Sequence, residues 1–122
     1  MKDHSPQNHL VPPARMPGSK FDAGKRRPQL VLLAMPHAMG AVIDVAGYGA
    51  KKYSDNNWLQ VPNGIQRYTD AMLRHAIAEG IETCDPESGF FHAAHVAWNA
   101  LARLELMLQE MEKKSADITA DE

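Results

Sequence analysis

The stretch from Arg74 to Asn99, RHAIAEGIETCDPESGFFHAAHVAWN, decides the fold class. It joins the end of one apolar-periodic segment to the start of another through a short acidic break. Upstream, Ile65, Tyr68, Met72 and Ile77 recur at helical spacing and predict a helix from about Ile65 to between Glu82 and Cys84. Downstream, Asp85-Pro86 suits an N-cap and first-turn pair, so another helix is expected from there to about Lys113. On its wheel Ala93, Val96, Ala97, Ala100, Leu101, Leu104 and Leu108 spread over a broad apolar face. His92, His95, Asn99 and Arg103 gather within about 80° of one another.

Towards the N-terminus, Pro36 sits where a first helical turn tolerates its missing N–H, and a helix is expected from there to Tyr48, stopped by Gly47 and Gly49. AKKYSDNNWLQVPNG follows as a polar loop with aromatic residues set into it. No segment alternates as a half-buried strand does. The expected class is therefore all-α, a helical bundle of three main helices completed by oligomerisation, as a homodimer or homotetramer. Residues 1–19 mix proline with polar residues and predict a flexible arm; 20–114 form the domain; 115–122 are expected to be a disordered, charged tail.

With 13 basic and 15 acidic side chains the chain has no global field to recruit nucleic acid. Its single cysteine excludes an internal disulfide and suits a reducing cytoplasm, and neither a membrane span nor a signal peptide is visible. The expected chemistry lies in the acidic break. Glu79 and Glu82, three apart, would project about 60° apart on a helix and could share a divalent cation. Four acids fall between Glu79 and Glu87, and such a group repels itself unless a cation sits among them. Asp85 has two readings, ligand or cap, and Glu87 likewise, ligand or first-turn acid. His95 and Asn99 pair at i, i+4 and serve either as further ligands or to orient a water or hold a phosphate.

KFDAGKRRPQL, YGAKKYSDNNW, and RH followed by ET-C-DPESGFFHAAHVAWNAL resemble the phage dATP/dGTP diphosphohydrolase group, a branch similar to the MazG-type all-α nucleotide pyrophosphohydrolases and nearest to their dGTP-hydrolysing MazZ type. The resemblance spans about Lys20 to Glu105. It implies a metal-dependent cleavage of a purine deoxynucleoside triphosphate, dGTP ahead of dATP, to monophosphate and pyrophosphate, with two or more Mg2+ or Mn2+ ions. It also implies a purpose, supplying dGMP for 2-aminoadenine nucleotides in a phage, in the host cytoplasm. Glu79 and Glu82 match the family's first acidic pair. His92, His95 and Asn99 stand where its second acidic pair is usual, a departure from the pattern.

In such a reaction Glu79 or Glu82 would be a ligand or take a proton from water. Asp85, His95 and Asn99 complete the expected metal set. Lys20, Lys25, Lys51 and Arg74 are candidates for holding phosphate oxygens, whereas Lys52 and Arg27 look like ordinary surface charge. Tyr48, Tyr53, Asn57 and Trp58 offer a flat surface and edge groups for a base; Tyr53 and Trp58 also suit the end of a bundle. Two rivals differ in class. An HD-type triphosphohydrolase finds no support, since no His-Asp dipeptide occurs, and a non-enzymatic helical adaptor would leave the polar stripe simply solvated.

Overall fold

A computed structural model describes residues 16–120. Four α-helices follow one another: α1 (Gln29–Leu32), α2 (Pro36–Lys52), α3 (Gly64–Glu79) and α4 (His92–Ala120), with one 3-10 turn over Asn57–Gln60. No strand forms among the described residues. The three main helices are the expected ones, and the all-α class holds. Of the arm expected over residues 1–19, residues 1–15 lie outside the described part.

Local chemistry accounts for most boundaries. Pro36 opens α2, and Lys51 and Lys52 close it, where cations oppose the negative end of the helix dipole. Asn56 and Asn63, with φ of 59° and 57°, take the left-handed conformation that asparagine tolerates better than most residues. They set the 3-10 turn and the start of α3.

α3 ends at Glu79, earlier than its apolar spacing suggested, because Gly80 and Ile81 tighten into a turn whose N–H groups return to Ile77 and Ala78. Glu82 is thereby off the helix, so the helical geometry expected for the pair with Glu79 does not exist. Asp85 caps no helix either. Its carboxylate accepts the Ser88 N–H at 3.2 Å within a loop closed by the Cys84–Phe91 bridge, and α4 starts seven residues later, at His92. Asp85 still satisfies a backbone N–H three residues on, but in a turn. At the other end α4 runs to Ala120, through residues expected to be a disordered tail. Within the described part of that tail the Thr119 hydroxyl donates to the Ser115 carbonyl at 3.0 Å.

α4 packs along α3 and across α2, so it is the common element of the bundle. The face it buries is not its leucine face. His92, Ala94, His95, Asn99 and Ala102 are buried, whereas Leu101, Leu104 and Leu108 are exposed. Among the described residues the buried apolar side chains are Val45, Ala94 and Ala102 alone, far less core than a domain of this size normally closes over. The polar stripe turns inward because α3 and the loop before α4 supply its hydrogen-bond partners.

Gly89, at φ +80°, carries the tip of that loop, and a Cβ there would meet no atom within 4 Å. Backbone strain is then the whole cost of a side chain. Gly89→Ala should lower stability by about 1–2 kcal/mol in denaturant titration; an unchanged midpoint would mean that the loop relaxes without cost.

Candidate functional site

The loop from Gly80 to Phe91 is built to hold the first turn of α4 against α3. Asp85 N–H donates to the Phe90 carbonyl at 2.8 Å, Gly89 N–H to Asp85 at 2.7 Å, and His92 N–H to Thr83 at 2.9 Å. These bonds bring three imidazoles together. His75 on α3 stacks on His95, ring centres 4.3 Å apart and 8° from parallel, and its Nδ1 lies 2.9 Å from Nδ1 of His92. His92 Nε2 donates to Glu82 Oε2 at 3.0 Å. His95 Nε2 pairs with the Ser88 hydroxyl at 2.7 Å and lies 3.7 Å from Asp85 Oδ2. One turn further along α4, the Asn99 amide donates to the His95 carbonyl at 2.8 Å.

Glu87 ties the same loop to α2. It accepts from the Tyr48 hydroxyl at 2.9 Å and from Lys52 Nζ at 2.7 Å. The bond from Lys52 holds the Glu87 carboxyl below its ordinary value, and the bond to Glu87 raises both Tyr48 and Lys52. Burial pushes Asp85 up, but hydrogen bonds from the Ser88 side chain and from the Ser88 and Glu87 N–H groups outweigh it and hold Asp85 low. His75 and His95 are both lowered, in each case chiefly by burial; the charge of a protonated His95 opposes protonation of His75 further, and that of His92 opposes protonation of His95.

Beside the histidines a cavity of about 830 Å³ opens between α2, α3 and α4, and His75, His95 and Asn99 line it. A second cluster lies further along it. Trp58, Tyr68 and Trp98 meet edge to face with ring centres 5.6 to 6.4 Å apart, and the Tyr68 hydroxyl donates to the Trp58 carbonyl at 2.9 Å. Lys52, Arg67 and Arg74 bring positive charge to the walls. The volume is within the roughly 300–1,000 Å³ usual for small-molecule sites, and the lining mixes aromatic faces with a few polar groups in the same way.

Of the residues expected at a site, Tyr48, Tyr53, Asn57, Trp58, Arg74, His95 and Asn99 line this cavity. Glu79, Glu82, Asp85, Lys51, Lys20 and Lys25 do not. Lys20 instead faces Asp22 at 3.8 Å, with both side chains well exposed. Glu79 makes no hydrogen bond or ion pair among the described residues. Nor do any three His, Cys, Asp or Glu side chains among them converge as a cation would need. The expected ligand set is thus not assembled: Glu82 and Asp85 turn to His92 and to Ser88, and the end of α3 separates Glu79 from them. Lys52, set aside as surface charge, is part of the wall and of the Glu87 pair.

His75, Tyr68, Trp98, Arg67 and Ser88 were not singled out for roles in the sequence. Tyr68 was visible only as a core position of its helix. That α3 and α4 both carry an aromatic residue and a histidine seven or so positions apart, Tyr68/His75 and Trp98/His92, was the available signal.

A family model described as dATP/dGTP diphosphohydrolase, N-terminal, matches residues 15–116. No curated protein and no solved structure matches the chain.

The lowered histidines bear on stability. Each is held neutral in the fold, so above about pH 6.5, their ordinary value, neither costs anything. Below it the unfolded chain binds protons first, and stability falls as the pH falls. The melting temperature should be level from pH 8 to 7 and decline from pH 6.5 to 5, with a shallower decline in His75→Gln. A melting temperature independent of pH over that range would contradict the lowering of the half-buried His75 and the buried His95.

Proposed function

From the premise that the chain belongs to the dATP/dGTP diphosphohydrolase N-terminal family, we propose that its cavity binds a purine deoxynucleoside triphosphate, dGTP ahead of dATP, and that water cleaves it between the α and β phosphates to monophosphate and pyrophosphate. The observation that carries this reading is the division of one cavity into an aromatic end and a histidine end with basic walls. Tyr68 and His75 are seven residues apart on α3, so the two ends are offset by about 10 Å along the helix axis. A purine against Trp58, Tyr68 and Trp98 then places its phosphates towards Arg74, His75 and Lys52. Ring stacking suits any base, and Tyr53 and Asn57 supply edge groups beside it. Guanidinium and ammonium groups meet phosphate oxygens with charge-assisted hydrogen bonds.

In this reading Mg2+ or Mn2+ is required and arrives as the metal complex of the triphosphate. The chain's own acids do not converge into a cation cage among the described residues. Magnesium is commonly held by one or two carboxylates together with substrate phosphates rather than by protein alone. The resemblance to the MazZ type supports a further step, dGMP entering 2-aminoadenine nucleotide synthesis in a phage-infected cytoplasm.

Leu101, Leu104, Leu108 and Met111 leave an apolar face of α4 exposed, and Leu73, Ile77 and Ile81 do the same at the end of α3. We propose that a second copy covers them, giving a homodimer or homotetramer, since so small a core is what an obligate oligomer leaves in one protomer. Light scattering should return two or four chains. A monodisperse monomer at micromolar concentration would refute it.

With Mg2+ or Mn2+, dGTP and dATP should give monophosphate and pyrophosphate in equal amounts. Orthophosphate or intact triphosphate as product would overturn the assignment. Arg74 is exposed on α3, so Arg74→Ala should leave the melting temperature unchanged and raise KM about 10- to 100-fold, the loss of one or two charged hydrogen bonds.

A further inference from the structure

Glu82, His92 and His75 form a hydrogen-bonded line whose directions are set at one end. A carboxylate only accepts, so His92 Nε2 donates to Glu82. Neutral His92 then presents a lone pair at Nδ1, and the hydrogen of the 2.9 Å contact belongs to His75 Nδ1. Neutral His75 is left with a lone pair at Nε2. That atom has no hydrogen-bond partner among the described residues. Since no buried side-chain nitrogen or oxygen there lacks a partner, Nε2 is open to solvent, and the cavity is what His75 lines.

We propose, on the reaction put forward above, that His75 is the general base and that His92 and Glu82 are positioning residues that hold its tautomer. Water loses a proton to His75 Nε2 as its oxygen bonds to the α-phosphorus. The bond from that phosphorus to the α–β bridging oxygen breaks, and pyrophosphate leaves with the electron pair. The proton stays on His75 until the products depart and then passes to solvent. While His75 is charged, its Nδ1–H donates into His92, whose far side donates to the Glu82 carboxylate, so the new positive charge is drawn along the line. The other groups facing His75 are His95 and Asp85, with Arg74 beside it on α3. The His95 ring covers one face of His75 and leaves the in-plane Nε2 lone pair clear. A positioned base of this kind contributes about 10²- to 10⁴-fold.

The test uses the full chain with Mg2+ and dGTP or dATP, and the variants His75→Gln, His75→Gly and His92→Phe. Nitrogen-15 NMR of the parent should show His75 protonated at Nδ1 and bare at Nε2, with a mixture of tautomers in His92→Phe. His75→Gln should lower kcat 100-fold or more with Kd within threefold, and added imidazole should restore part of the rate in His75→Gly. A parent His75 protonated at Nε2 overturns the proposal whatever the variants do. A His75→Gln enzyme within threefold of the parent kcat overturns the role alone, and a parent that releases no pyrophosphate from either nucleotide overturns the reaction and the role together.

Discussion

The burial of the His92, His95 and Asn99 stripe is the constraint on which the rest depends. A buried imidazole or amide is tolerable only when its polar atoms are paired, and leaving one unpaired costs about 1–3 kcal/mol. Helix α4 cannot pair them by itself beyond the Asn99 bond to the His95 carbonyl. The other partners come from α3, as His75, and from the loop, as Glu82 and Ser88. The early end of α3 and the late start of α4 follow from that need. A continuous helical hairpin would carry Glu82 and Ser88 away from the rings they meet.

That constraint also arranges the surface. With the polar stripe turned inward, the leucines of α4 point outward and the protomer buries little apolar area. Leu101, Leu104, Leu108 and Met111 therefore form an exposed apolar face along α4. The same packing shapes the cavity. α2 crosses α4 and is joined to the loop by the Tyr48 and Lys52 bonds to Glu87, and the space left between α2, α3 and α4 is walled by aromatic and basic residues.

Much of the fold was legible in local pattern. Pro36 and the Gly47/Gly49 pair announced the start of α2 and, four residues short, its end. The spacing from Ile65 to Ile77 marked α3, and the alanines and leucines after His92 marked α4. The cluster of Tyr, Trp and Asn from Tyr48 to Trp58 stood out without a periodic reason, and Tyr48, Tyr53, Asn57 and Trp58 all line the cavity. Other features were not. Asp85-Pro86 carries the same signature whether it opens a helix or a turn, because in both cases a carboxylate accepts an N–H three residues on. Glu79 and Glu82 look like one helical face only if the helix continues, and Gly80 ended it.

By itself the sequence determined the all-α class, the three main helices and the family, because periodicity, proline, glycine and short motifs act through neighbours along the chain. Tertiary structure alone decided which face of α4 is inside and which acids, histidines and aromatic rings meet. Amphipathicity names two faces of a helix without saying which is covered. The partners of His92 and His95 come from 7 to 17 residues earlier in the chain, and only packing brings them within hydrogen-bond distance.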